Sequence, residues 1–332
     1  MSGKSFCWKT GFAVLLPVLV LTGAILFGGP VAPPVLDTLS EPFGQIDFSA
    51  APPLSRYAAG DGQALAYRHY QPHGTPRASV VLVHGSTGSS LGMHPLAEAL
   101  AAAGYSAYAL DIRGHGDSGR RGTIGYIGQL EDDLVAFMQE VAPVSPATLL
   151  GMSAGGGFTL RFAGSERQSL FDSYVMLAPL ISHKADNYRP AAGGWVEVGM
   201  PRIVALTMLE SVGVSHFSDL PVVRFAVDPE SRVLTPAYSF KLQSNFRPHM
   251  DYQADIAAVQ SPVAVLAGGE DELFYSSKLE GIFRQQNKSW PVRLLPGMKH
   301  IDISLVPEAL TAVVQVVDEL NTGKVTQQVV SP

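Results

Sequence analysis

A serine lies between two glycines in Gly151-Met152-Ser153-Ala154-Gly155, after the apolar run Ala147–Leu150 and before a glycine-rich stretch suited to opening a helix. A serine on a sharp strand-to-helix turn is held in a strained backbone with its hydroxyl exposed. Only small neighbours fit where strand and helix crowd together. Such a hydroxyl is a nucleophile when a base takes its proton and a carboxylate holds that base. Asp271 follows the apolar run Val263–Ala267 in Ala267-Gly268-Gly269-Glu270-Asp271, and its neighbours Glu270 and Glu272 are rivals for the same role. His300 follows Val292–Leu295 in Leu295-Pro296-Gly297-Met298-Lys299-His300. The order is serine, acid, histidine, and each candidate stands a few residues past its own apolar run. An oxyanion needs two backbone N–H donors. Ala154, next to the serine, is one candidate; Ser86 in His84-Gly85-Ser86, after the run Ser79–Val83, is the other. Chemistry of this kind requires no metal and no organic cofactor.

These residues need a scaffold that brings strand ends together. Ala64–Tyr70 alternates as a strand after the turn signal Gly60-Asp61-Gly62. The runs 79–83, 105–110, 147–150, 174–177, 263–267 and 292–295 read as strands, the continuous apolar ones buried on both faces. Residues 94–103, 131–141 and 306–320 read as helices. The alternation implies a parallel sheet covered on both faces. It breaks over about 182–255, a proline-rich stretch with a helical run at 202–212, which reads as a cap over the strand ends where ligands bind. Trp195 and Met208 read as cap core, with an acyl passage as the alternative.

On Gly151–Gly155, on Val83-His84-Gly85-Ser86, and on Asp111-Ile112-Arg113-Gly114-His115-Gly116-Asp117-Ser118-Gly119, similar to an Arg-Gly-His-Gly-x-Ser turn, residues 55–320 resemble a known family. It is the α/β-hydrolases of the monoacylglycerol lipase/lysophospholipase-like, serine aminopeptidase S33-type group. The resemblance implies an α/β fold, a mostly parallel sheet with helices on both faces and an inserted, mainly helical cap. It implies a triad of Ser153, Asp271 and His300, with Gly268-x-x-Asp271 matching the family pattern, and an oxyanion hole from Ser86 and Ala154. The chain differs in carrying Met152 and Ala154 where His and Met are frequent. Among the other histidines, His84 is expected to shape the oxyanion loop and His115 to stabilise its turn. His183, His216 and His249 are expected at the surface or in packing, and Arg113 to pair with a carboxylate or carbonyl groups.

The implied function is a serine hydrolase of carboxylic esters, with lipid-like acyl esters as small-molecule substrates, working through an acyl-enzyme. A proline iminopeptidase-like aminopeptidase would need cap carboxylates for a substrate amine, and Glu197, Glu210, Asp219 and Asp228 are the candidates. A non-catalytic ligand-binding protein is the third reading. A haloalkane dehalogenase would carry Asp at position 153.

Of 332 residues, 46% are hydrophobic and 16% charged, enough for a sizeable core. The net charge of −6 and the lack of a basic stretch argue against nucleic acid. Cys7, the single cysteine, forms no internal disulfide; acylation or an incidental thiol are its two readings. Gly11 to Gly29 carries no charge, with Lys4 and Lys9 before it and Asp37, Glu41 and Asp47 after it. About 20 apolar residues can cross a bilayer, so residues 1–29 read as a membrane anchor. The lysines would stay in the cytoplasm and the catalytic domain would be periplasmic or extracellular. A cleaved signal segment, giving a secreted protein, is the competing reading. Residues 30–54 read as a proline-rich linker and 321–332 as a polar tail.

Overall fold

The computed structural model describes residues 4–36, 43, 46–190, 194–231 and 233–323, with side chains from Leu16 onward. The tail expected over 321–332 lies outside the described residues beyond position 323, and so does the side chain of Cys7. An N-terminal helix, α1 (Lys4–Phe27), precedes the body of the protein. The chain enters the sheet as an antiparallel hairpin, β1 (Leu54–Ala58) and β2 (Ala64–Tyr70), folded at the Gly60–Gly62 turn. The apolar runs then form β3 (Ser79–Val83), β4 (Ser106–Leu110), β5 (Ala147–Met152) and β6 (Ser173–Leu177), each buried along its full length. Residues that shed water on both faces are the signature of strands sandwiched between helices.

Helices α2 (His94–Ala102), α3 (Gln129–Glu140) and α4 (Ala154–Ala163) alternate with these strands. Between β6 and the next sheet strand comes the insertion. It holds β7 (Val196–Val198), α5 (Met200–Ser211), β8 (Pro221–Phe225), β9 (Ala237–Ser239), α6 (Phe240–Asn245) and α7 (Tyr252–Ala258). Beside its helices the cap therefore carries a small antiparallel sheet in the order β7-β8-β9. The main sheet resumes with β10 (Val263–Gly268), α8 (Leu279–Arg284), β11 (Val292–Leu295) and α9 (Pro307–Thr322).

The eight-stranded order is β1-β2-β4-β3-β5-β6-β10-β11, parallel from β4 to β11. This is the mostly parallel α/β architecture expected. The chain leaves β3 towards β4 on one side and returns to β5 on the other. Strands β3 and β5 thus bound a topological switch point, where a crevice opens beyond the strand ends. Helix α2 packs against α9 on one face; α3 and α4 are joined on the other by Arg161 Nε donating to Glu131 Oε1 at 2.5 Å.

The membrane anchor expected over residues 1–29 is corrected, and the non-cytoplasmic placement inferred from it falls with it. Among the described residues no helix is long and apolar enough to cross a membrane. The end of α1 is tied to the cap instead. Arg202 of α5 donates to the carbonyl oxygens of Ile25 at 2.8 Å and Leu26 at 3.1 Å, satisfying acceptors that a helix C-terminus leaves open. Leu36 N–H then donates to Ala226 O at 2.9 Å, so the start of the proline-rich stretch runs along the cap.

Strand β5 and helix α4 meet tightly. A Cβ at Gly155 would clash with the carbonyl oxygens of Val83 and His84, and one at Gly151 with Gly155 O and Thr159 Oγ1. Gly281, exposed on α8, has open space instead. Gly155→Ala is expected to destabilise the fold by about 3 kcal/mol through overpacking. Gly281→Ala is expected to stabilise it by up to about 1 kcal/mol through helix propensity. Urea unfolding midpoints of the two variants check this; equal midpoints would show that the junction has slack.

Candidate active site

Ser153 stands at the turn between β5 and α4 with φ 55 and ψ −116, a conformation that a non-glycine residue adopts only under constraint. The constraint is visible on both sides of it. Ser153 N–H donates to Leu177 O at 2.8 Å, and its carbonyl accepts from Gly157 N–H and Leu180 N–H, both at 3.0 Å. Val83 of β3 and Gly151 of β5 are register partners, so the loop after β3 and the turn at Ser153 leave the sheet side by side. A Cβ built on Gly85 would lie 3.3 Å from Ser153 Cβ. The N–H groups of Ser86 and Ala154 donate to no other described residue. Two free donors flanking one hydroxyl is the arrangement an oxyanion needs.

The acid and the base come from the loops after β10 and β11, paired in parallel with Gly268 opposite Leu295. Backbone bonds stitch these loops together: Gly269 N–H donates to Leu295 O at 2.8 Å and Glu270 N–H to Met298 O at 3.0 Å. His300 Nδ1 lies 2.8 Å from Asp271 Oδ2, and both side chains are buried. The other carboxylate oxygen accepts from Leu273 N–H at 2.8 Å and Phe274 N–H at 2.9 Å. With both oxygens engaged, the carboxylate cannot rotate away, and Nδ1 must be the protonated nitrogen. Nε2 is then the one able to accept a proton. The structure brings Asp271 and His300 together. The hydrogen bonds of the described residues include none between Ser153 Oγ and His300 Nε2; this contact commonly tightens only when substrate is bound.

Of the rival acids, Glu270 takes no part in that pair. Glu272 acts on the backbone instead. Its Oε2 accepts the His300 N–H at 3.0 Å and holds the histidine loop from behind. Phe274 sets its ring edgewise to the His300 imidazole, with centroids 5.3 Å apart. Neither role was assigned from sequence. The adjacency of Glu272 to Asp271 was the signal available.

The glycine-rich turn is held by Arg113, as expected. Its guanidinium forks onto Asp133 at 2.7 and 2.8 Å and onto Asp61 at 2.9 and 3.0 Å. Hydrogen bonding from Arg113 holds the Asp61 carboxyl below the usual range. His115 and His84 are fully buried, their rings 4.8 Å apart. Burial lowers both imidazoles, His115 well below the ordinary histidine range, so neither carries charge at neutral pH. His84 Nδ1–H donates to Gly85 O at 2.8 Å and so braces the oxyanion loop. His249 pairs with Asp255 at 2.6 Å; His183 and His216 are both exposed. In the cap, Trp195 packs on Phe225 at 5.2 Å, whereas Met208, expected in the cap core, is 59% exposed on α5.

The family described as serine aminopeptidase, S33, matches residues 74–301. A monoacylglycerol lipase of Mycolicibacterium smegmatis is 26% identical over 253 residues, 74% of this chain and 88% of that protein. The monoglyceride lipase of Rattus norvegicus is 34% identical over 133 residues, 39% of this chain and 43% of that enzyme. In fold, the chain is similar to the crystal structure of a soluble variant of monoglyceride lipase from Saccharomyces cerevisiae, with a TM-score of 0.65 and 19% identity, covering 85% of this chain and 99% of that one. Matched over more than half of its length and built on the same sheet, the chain belongs to the serine aminopeptidase S33 family of α/β-hydrolases.

Proposed function

We propose that this carboxylic ester hydrolase cleaves lipid-like acyl esters of the monoacylglycerol or lysophospholipid type through an acyl-enzyme. The observation that carries the reading is the buried Asp271–His300 pair on the loops beside the strained Ser153 turn. In this mechanism Ser153 Oγ attacks the ester carbonyl carbon while His300 Nε2 takes its proton. The carbonyl oxygen becomes an oxyanion received by the N–H groups of Ser86 and Ala154. His300 returns the proton to the departing alcohol as the C–O bond breaks. A water, deprotonated by His300, then attacks the acyl carbon and releases the acid and Ser153. Asp271 keeps the Nδ1 proton in place and stabilises the imidazolium that forms in each half-reaction.

Support for a lipid ester comes from the lipase relatives. Support against an amine-holding cap comes from three of the four cap carboxylates. Glu210 accepts from Ser218 at 2.9 Å, Asp219 from Lys241 at 3.2 Å, and Asp228 from the Glu230 N–H at 2.9 Å. Glu197 lies on β7 opposite Arg224. The first three are engaged locally. Of the division expected along the chain, the body and its cap insertion form the working unit in this proposal; residues 1–29 take no part in the chemistry.

Ser153→Ala is expected to lower kcat for ester hydrolysis by about four to six orders of magnitude, because triad members act as a unit. A fluorophosphonate should label the parent protein at Ser153. Near-normal turnover of the alanine variant, or labelling elsewhere, would remove the nucleophile. In a series of p-nitrophenyl esters, monoacylglycerols and aminoacyl amides, the esters are expected to exceed the amides in kcat/KM by about 100-fold or more, the discrimination that buried polar mismatches provide. Preference for aminoacyl amides would move the assignment to a peptidase.

A further inference from the structure

The second arm of the oxyanion site depends on a turn that is not stable by itself. Thr87, next to Ser86, has φ 64. A β-branched residue in the left-handed region is held there by its surroundings, at a cost of about 1–3 kcal/mol. Gly88 N–H donating to Gly85 O at 3.2 Å closes the turn locally. The remaining restraints come from the cap. Thr235 N–H donates to Thr87 O at 2.9 Å, and Thr87 N–H donates to the Tyr238 hydroxyl oxygen at 2.7 Å. Both peptide groups flanking the Thr87 Cα are thus fixed by one cap segment.

The Tyr238 hydroxyl is enclosed among polar partners, the Ser86 side chain among them. It is on β9, 1% exposed, and lies 2.6 Å from His115 Nε2. On the other side of the ring, His115 Nδ1 faces the carbonyl oxygen of Arg113 at 3.4 Å. The Tyr238 hydroxyl oxygen receives the Thr87 N–H while the same hydroxyl meets His115 Nε2. Burial raises the phenol far above its ordinary range and lowers the imidazole, so both stay neutral. The segment itself is anchored: Ser239 N–H donates to Gly122 O at 2.7 Å, and the Tyr238 ring packs edgewise on Phe225 at 4.8 Å and His115 at 5.1 Å.

We infer that Tyr238 is a positioning residue for ester hydrolysis: its hydroxyl, supplied by the cap, holds Thr87 in its left-handed turn and thereby aims the Ser86 N–H at the oxyanion. This rests on the oxyanion role proposed above for Ser86. Tyr238 touches no reacting atom. It makes the cap part of the transition-state machinery, beyond roofing the substrate. Removing the hydroxyl would leave Thr87 N–H and His115 Nε2 buried without partners, and the turn would relax away from the aimed geometry. The ground-state ester is held by other groups, so its binding would change little; the oxyanion, formed only in the transition state, would lose a donor.

The test is Tyr238→Phe in the full chain, with active sites titrated by a fluorophosphonate so that kcat counts competent enzyme alone. The expected result is a fall in kcat of about 10- to 100-fold with KM within twofold, below the loss for complete removal of an oxyanion donor. Affinity for a trifluoromethyl ketone, which forms a tetrahedral oxyanion adduct, should fall by the same factor. A second variant, with 3-fluorotyrosine at 238, keeps the shape and weakens the oxygen as an acceptor. It should show a smaller loss in the same two quantities, and it decides the matter even if the phenylalanine variant fails to fold. An unchanged kcat, a loss confined to KM, or ketone affinity that does not follow kcat would overturn the inference. A parent protein that neither labels at Ser153 nor cleaves esters would instead overturn the underlying reading.

Discussion

The site is organised around the turn at Ser153, where an extended strand must become a helix within one residue. The backbone there is in a region that L-residues avoid, at a penalty of about 1–3 kcal/mol. It persists because three hydrogen bonds fix its peptide groups from β6 and α4, and because Gly151 and Gly155 let strand and helix close on each other. The penalty is small against the burial of four fully enclosed strands around it. From this one constraint follow the free Ala154 N–H at the helix start and the proximity of the loop after β3.

The other two candidate groups reach the same edge of the sheet by a different principle. β10 and β11 are parallel neighbours, so their following loops emerge at one edge, and backbone bonds between those loops set their relative height. The Asp271–His300 pair is then closed by side chains that have little freedom left. Asp271 is held by two amides, and His300 is held through its own N–H by Glu272. Orientation is thus determined before any substrate arrives, which is the condition for fixed dipoles to act without reorganising.

Most of this frame was legible because strands buried on both faces write themselves as unbroken apolar runs, and because Ser153, Asp271 and His300 each follow such a run closely. The cap strands β7 and β9 were not legible. Three residues long and partly exposed, they carry no period, and their pairing is decided by residues far along the chain. The roles of Glu272 and Tyr238 were hidden for the same reason: their partners lie 28 to 151 residues away. The N-terminal stretch misled in the opposite sense. Hydropathy records how a segment would transfer to lipid, and it is blind to Arg202, which draws the end of α1 onto the cap by its carbonyl oxygens.

The cap is attached unevenly, and this limits what it can do. Its later part is sewn into the body. Thr235 and Tyr238 hold the oxyanion loop, Ser239 holds the glycine-rich turn, and Asn245 accepts from Gly128 N–H and Leu130 N–H at the start of α3. Its earlier part, β7 and α5, presents Met200, Val204 and Met208 outward and meets the body through fewer polar ties. A rigid lift of the whole cap would break the bonds that shape the Ser86–Thr87 loop, and in the catalytic role proposed for Ser86 would displace that donor as substrate enters. On that proposal, access that preserves catalysis leaves the segment from Thr235 to Asn245 in place, held to the body by these bonds.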